Sequence, residues 1–342
     1  MTNMHYIGFD IHKKTIAFCE KTVDGTIVEQ NTIPSTRNAI KIWASQRTTP
    51  WIGAMEATLF TGWIYDSLLP YATELKVGHP AMLKALAVAK NKNDRSDAER
   101  LADLLRCNLL FESYMAPEYI RELRRILRFR NLMVREATRM KNKTSGILME
   151  VGAQYNKKKL HGQRYFDELL NSLDYIPESV TELLRFCRIN TTHFTTMQKQ
   201  LTRGLLKNPD ISERIKLLMT IPGVGEITAL TWVLEIGEVE RFTQIRRAIS
   251  YCGLCSAQSE SAGVEKRGPI SKKRNKHLQT VLVEAAKLAP RWNSQLAEVY
   301  DKEFATGNRN SATLAVARKL VAYMLAVDKN QKAFEFREAD AA

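Results

Sequence analysis

No run of this chain is apolar for long enough to cross a bilayer, and Met1-Thr-Asn-Met-His5 lacks the pattern of an export signal. A cytoplasmic location and no membrane partner are therefore expected. Cysteine is sparse as well. Cys19, Cys107, Cys187, Cys252 and Cys255 make five, an odd and scattered set that excludes a disulfide framework and suits a reducing interior. Cys252-Gly-Leu-Cys255 has the spacing of half a zinc site. No second Cys or His pair lies nearby, so two packed thiols are expected there instead. Acidic residues are in deficit: 51 Lys and Arg against 37 Asp and Glu leave a net charge of +14. That excess favours a polyanionic partner, and polybasic segments without an apolar helix face point to nucleic acid rather than to lipid. With 44% apolar residues over 342 positions, the chain has room for two or three packed domains.

Four carboxylates stand out early: Asp10, Glu56, Asp94 and Asp97. Asp10 sits in His5-Tyr-Ile-Gly-Phe-Asp10-Ile11, a strand-like apolar run in which a carboxylate needs a partner or an ion. Glu56 ends a second such run, Trp51-Ile-Gly-Ala-Met-Glu56. Asp94 and Asp97 open an apolar-periodic helix and, three residues apart, share one of its faces. Acids of this kind commonly cap helices and end strands. Gathered together, they suit Mg²⁺, a hard cation that takes oxygen ligands; a pair of such ions about 3.5–4 Å apart serves phosphodiester chemistry.

Three strands that can pair by hairpins (to Ile11, Thr15–Cys19, and Thr26–Val28 after Asp24-Gly25) precede a strand–helix–strand–helix alternation through residue 115. That order predicts an α/β domain with an RNase H-like, or RuvC-like, mixed sheet over residues 1–116. Residues 117–207 read as a basic helical segment. From Pro117 to Lys159, twelve Lys or Arg face four Glu, and Ile126, Met133, Met140 and Ile147 recur at heptad spacing. Leu123, Ala137 and Val151 fill the companion seam, which Arg130 and Thr144 interrupt. The stripe suits either self-association or packing within the chain, and Arg124 and Arg128 lie on its basic flanks.

A mostly helical domain is expected over 208–332, with a frayed tail over 333–342. Ile221-Pro-Gly223-Val-Gly225 between two helical patterns matches a helix-hairpin-helix, whose glycines allow close approach to a phosphate. A Ser- and Gly-rich stretch around Ser259, Ser261 and Gly263 follows and reads as a loop. Residues 264–276 then hold six cations, Lys266, Arg267, Lys272, Lys273, Arg274 and Lys276, against one Glu. A hydroxyl beside such a cluster could meet a phosphate.

In this order, Gly8-Phe-Asp10, Glu56, Asp94-Arg-Ser-Asp97-Ala98, Ile221-Pro-Gly-Val-Gly225, Arg241-Phe242, Tyr251-Cys-Gly253-Leu254, Ser261 and Ile270-Ser-Lys272 span nearly the whole chain. The pattern resembles the insertion-sequence transposases that join a RuvC-like N-terminal domain to a C-terminal domain with a serine nucleophile. That group includes bridge-RNA-guided recombinases and pilin-gene invertases. The resemblance implies that Asp10, Glu56, Asp94 and Asp97 bind Mg²⁺ and that Ser261 is the nucleophile. It further implies DNA and a structured guide RNA as partners, and a dimer that assembles into a tetramer. Three departures stand out: Glu260 and Ala262 flank Ser261 where that family has Ser and Gly, and Lys272-Lys-Arg274-Asn275 replaces Lys-x-Gly-Asn. They leave Ser259 as an alternative nucleophile. The competing readings are a metal-only nuclease or Holliday-junction resolvase, and a non-catalytic nucleic-acid-binding protein.

Overall fold

Apolar runs near the start of the chain pair in succession. β1 (His5–Ile11), β2 (Thr15–Lys21) and β3 (Ile27–Pro34) form an antiparallel meander, and β1 then pairs in parallel with β4 (Trp51–Glu56). β5 (Glu74–Gly78) extends the sheet in parallel, giving the order β3-β2-β1-β4-β5. A parallel neighbour needs a crossover. It is supplied by α1 (Arg37–Ser45) between β3 and β4, and by α2 (Thr61–Leu68) between β4 and β5. The structure, a computed structural model, describes residues 4–86, 93–261, 264–271 and 274–336; for 86, 257–261, 264–267 and 269 it describes the backbone alone. α3 (Pro80–Leu86) and α4 (Asp94–Arg106) complete a first unit, Met1–Glu118.

The two faces of the sheet differ in side-chain size. One carries Ile7, Phe9, Ile16, Phe18, Trp51 and Met55 against Ile40 and Trp43 of α1 and Ile64 and Leu68 of α2. Edge-on ring contacts knit it, Phe9 to Trp43 at 5.4 Å and Trp43 to Trp51 at 5.8 Å. The other face is built from small residues: Gly8, Ala17 and Cys19 lie against Ala98 and Ala102 of α4. A Cβ on Gly8 would stand 2.0 Å from the Ala98 carbonyl oxygen and 2.5 Å from the Ala102 nitrogen, so α4 reaches β1 only because residue 8 has no side chain. Lys21, on the same face, donates to Glu99 at 3.0 Å and Asp103 at 2.7 Å and ties the far half of the helix.

Among its described residues, the second unit, Tyr119–Ala342, has helices and one hairpin. It comprises α5 (Glu118–Glu150), α6 (Gln163–Ser172), α7 (Glu178–Leu206), α8 (Pro209–Met219), α9 (Glu226–Ile236), α10 (Ile245–Tyr251), the strands β6 (Ser256–Ser261) and β7 (Val264–Ile270), α11 (Lys276–Leu288), α12 (Ser294–Thr306) and α13 (Arg309–Asn330). The end of α5 packs with α6 and α7 through Ile147, Leu148, Phe166, Leu169, Leu184 and Cys187. α9 is buried from Thr228 to Ile236, and Glu235 within it is 0% exposed. A buried carboxylate must be paired. Arg128 of α5 answers with two bonds of 2.8 and 2.9 Å, and Asn275 adds a third at 2.8 Å. Asp328 of α13, 1% exposed, is held likewise by Arg214 and the Trp232 indole N–H. No helix among the described residues is long and apolar enough to cross a membrane.

Several expectations need correcting. The heptad seam on α5 holds at Met133, Ala137 and Ile147, which are buried, and departs at its start, where Ile126 is exposed while the adjacent Leu127 is fully buried. Thr144, an apparent interruption, is buried because its hydroxyl donates to the Met140 carbonyl at 2.9 Å. The Ser- and Gly-rich loop is a β-hairpin; its strands are polar on both faces and so show no apolar alternation to detect. The tail is not frayed from residue 333, since the Phe334 ring packs on Tyr323 at 4.9 Å and its N–H donates to the Thr220 hydroxyl at 2.9 Å. Residues 337–342 lie outside the described residues.

Gly8→Ala is expected to destabilise the first unit by about 1–3 kcal/mol or more, because backbone rather than a flexible side chain blocks the new methyl group. Urea denaturation checks it, and a wild-type midpoint would refute the close approach. In the second unit, burial pushes the Glu235 carboxyl up, but its bonds and charge interaction with Arg128, with Asn275 and Arg124 behind them, outweigh burial and leave it below its ordinary value of 4.5. A lowered folded value means stability that is present above pH 4.5 and is lost as pH falls through that folded value. Urea midpoints measured from pH 6 to about pH 3 should fall more steeply for wild type than for Glu235→Gln, which cannot titrate there.

Candidate metal centre

Asp10 is the second-last residue of β1, on the face that Gly8 opens to α4. Phe9 pairs with Met55, so Glu56, the last residue of β4, stands level with Asp10 on the neighbouring parallel strand. Both acids thus occupy the carboxyl edge of the parallel strands, where open α/β sheets bind ligands. Asn93 caps α4 by accepting from the Ser96 N–H at 2.8 Å, which starts the helix with Asp94 and Asp97 in its first turn. Acids there have a local reason, since they complement the positive end of the helix. What exceeds capping is the third group beneath them. Asp10 lies half-buried, and burial first, then the charges of Asp94 and Asp97, push its carboxyl up, while His12 pulls it down.

The groups that converge are Asp10, His12 and Asp94, each offering a ligand atom within 4.8 Å of the others. His12 Nε2 lies 3.1 Å from Asp10 Oδ2 and 3.3 Å from Asp94 Oδ1. Asp97 shares the turn, with its carboxylate bonded to Arg100 at 2.8 Å, and its charge reaches Asp10. Glu56 flanks the group from β4 without belonging to the converging three. His12 was not among the residues singled out from the sequence, although a signal existed: it follows Asp10 by two positions, the period that keeps side chains on one strand face. Carboxylates at two strand ends and a helix start, with an imidazole between them, fit a divalent cation. Asp10 and Asp94 would hold it, with His12 as a further ligand or as the group that orients them.

The expected nucleic-acid residues are distributed differently. Gly223 has φ +96°, and a Cβ there would meet Ala289 Cβ at 2.5 Å, so the turn between α8 and α9 requires glycine. Gly225 is the N-cap of α9 and brings no side-chain acceptor to its first N–H groups. Arg124 donates to the Leu234 carbonyl from a mostly buried side chain, and Arg128 donates to Glu235 while half of its side chain stays exposed. Arg274 is exposed and donates to the Ser271 carbonyl, and Lys276 opens α11. Lys266 and Arg267 belong to β7, their side chains outside the described atoms, and Lys272 and Lys273 lie outside the described residues. Ser261 is the last residue of β6, across from Val264, and Ser259 lies on the same strand across from Lys266.

Residues 7–152 match the family model of the IS110-type DEDD transposases, and residues 215–301 match that of the IS116/IS110/IS902 transposases. Over these two stretches the chain is similar to the transposases of the IS110/IS116/IS902 group. All four early acids fall within the first match and Ser261 within the second. The chain is 26% identical to the transposase of insertion sequence element IS1111A from Coxiella burnetii over 232 residues, 64% of this chain and 61% of that one. It is 23% identical to the transposase of IS1328 from Yersinia enterocolitica over 328 residues, 94% of this chain and 95% of that one. The pilin gene-inverting protein of Moraxella bovis is 24% identical over 187 residues, 54% of this chain and 56% of its own.

Asp10→Asn and Asp94→Asn should each weaken Mn²⁺ binding by more than about 100-fold, and His12→Ala by about 10- to 100-fold. Isothermal titration with Mn²⁺ and Mg²⁺ measures it. Equal affinity in Asp10→Asn and wild type would leave the acids as helix caps alone.

Proposed function

We propose that this protein is a transposase that cuts and rejoins DNA strands at the ends and target of an insertion element. Mg²⁺ is held at Asp10 and Asp94, with Glu56 and Asp97 beside them, and Ser261 is the nucleophile. One observation carries the reading. In a chain matching DEDD transposases, the acidic first turn of α4 is seated on Asp10 at the carboxyl edge of β1 and β4, a seating that Gly8 permits. A divalent ion there supplies charge stabilisation for a phosphoryl group under attack.

The Ser261 hydroxyl oxygen bonds to phosphorus while the bridging bond to a deoxyribose oxygen breaks. A carboxylate takes the hydroxyl proton, and the departing oxygen picks up a proton. The phosphoserine link keeps the bond energy, so reversal with a different strand end completes exchange without a nucleotide cofactor. The turn at Gly223–Gly225 supports a backbone contact to phosphate that positions DNA without reading its sequence. Arg274, Lys276 and the other cations of 264–276 supply neutralising charge near Ser261 in sequence. A structured RNA encoded by the element is the proposed guide, and a dimer that pairs into a tetramer the proposed assembly, in the cytoplasm.

The test incubates the protein with its element ends, any flanking transcript and Mg²⁺, then looks for a protein–DNA adduct on a denaturing gel. The expected result is an adduct lost in Ser261→Ala and in Asp10→Asn but retained in Ser259→Ala. Cutting that persists in Ser261→Ala without any adduct would instead identify a metal-only nuclease or resolvase. Cutting in neither wild type nor variants, with DNA binding intact, would leave a non-catalytic binding protein.

A further inference from the structure

β6 and β7 pair with each other, and neither strand packs substantially on a helix among the described residues. The hairpin is therefore placed by its neck, where its two stems enter the fold. On one stem Cys252 and Leu254 are buried, Gln279 donates to the Gly253 carbonyl at 2.6 Å and Arg318 to the Leu254 carbonyl at 2.8 Å. The other stem closes onto the first. The Ser271 N–H donates to the Cys255 carbonyl and the Asn275 N–H to the Tyr251 carbonyl, each at 3.1 Å.

Asn275 is the junction. Its Oδ1 accepts from the N–H groups of His277 at 3.0 Å and Leu278 at 3.2 Å, capping α11, and its Nδ2 donates to Glu235 Oε2 at 2.8 Å. The backbone carbonyl of Glu235 accepts from the Tyr251 hydroxyl at 3.1 Å. Glu235 thus touches both stems, Tyr251 on one and Asn275 on the other, while its carboxylate is locked by Arg128 of α5. A fully bonded buried carboxylate has one arrangement available and transmits it to its partners.

We propose that Glu235 is a positioning residue for strand exchange, fixing through Asn275 and Tyr251 the neck of the hairpin that carries Ser261. This rests on Ser261 being the nucleophile. Displacement of a reacting group by about 1 Å through a remote change can slow a reaction about 100-fold.

Asn275→Asp keeps a cap acceptor, removes the amide donor and sets a second carboxylate against Glu235. Asn275→Ser keeps a cap hydroxyl and removes the donor without adding charge. Glu235→Gln combined with Asn275→Asp reverses the polarity of the bond, the Gln amide donating to the Asp carboxylate. Hydrogen–deuterium exchange at the Ser271 and Asn275 amides of the full chain should quicken by about tenfold or more in both single variants and return toward wild type in the double variant. The rate of Ser261 adduct formation should fall about 100-fold and recover in parallel, with DNA affinity unchanged and cooperative melting retained.

Wild-type exchange at the neck in both single variants overturns the bracing. Quickened exchange spread equally through α9 and α13 overturns it too, since Glu235 would then be a general core group. A loosened neck with undiminished adduct formation overturns the role in strand exchange. Absence of any adduct in wild type, with the exchange pattern as expected, refutes the serine assignment and leaves the bracing of the neck standing.

Discussion

The contact between the Gly8 backbone and α4 is the constraint on which the first unit depends. Helix and sheet surfaces ordinarily stand apart by the thickness of their side chains. Here a glycine over Ala98 and Ala102, with Ala17 and Cys19 beside it, removes that thickness on one face. The opposite face does the reverse and spends Phe9, Phe18, Trp43 and Trp51 on a deep apolar layer. The asymmetry brings the first turn of α4 down to the strand edge, so that Asp94 reaches the neighbourhood of Asp10 and His12. Helix depth is thus a determinant of site geometry, set by a residue with no chemistry of its own.

The second unit solves a related problem with charge. α9 is buried along most of its length and carries a carboxylate in its last turn. Removing Glu235 from water is costly unless it is paired and bonded, and Arg128 and Asn275 satisfy that need from elements far apart in sequence. Asp328, held by Arg214 and Trp232, repeats the device on α13. Two bonded carboxylates give this helical unit fixed points that apolar packing, tolerant of small sliding, does not supply. Arg214 thereby turns its charge inward from a mostly buried side chain, whereas Arg128 keeps half of its side chain exposed while holding Glu235.

The legible parts of the sequence were those where a local pattern has one physical meaning. The first strands and the Asn93-Asp94 helix start follow from alternation and capping, although β3 runs on to Pro34, beyond the Thr26–Val28 run. The β6–β7 hairpin was not legible, because a strand polar on both faces carries no apolar alternation. The placement of Phe334 depends on Tyr323 and Thr220, residues that no local window contains. His12 had its period-two relation to Asp10, but its significance appears only with Asp94 in place.

The sequence by itself determined most of the elements of the first unit, the basic character, the acids and their order, since these rest on composition and near-neighbour periodicity. Tertiary structure alone decided which groups converge and which cations turn inward. Asp94 is eighty-four positions from Asp10, and Arg128 over a hundred from Glu235. Separations of that size are closed by packing: the missing side chain at Gly8 in one unit, and the need to neutralise a buried charge in the other.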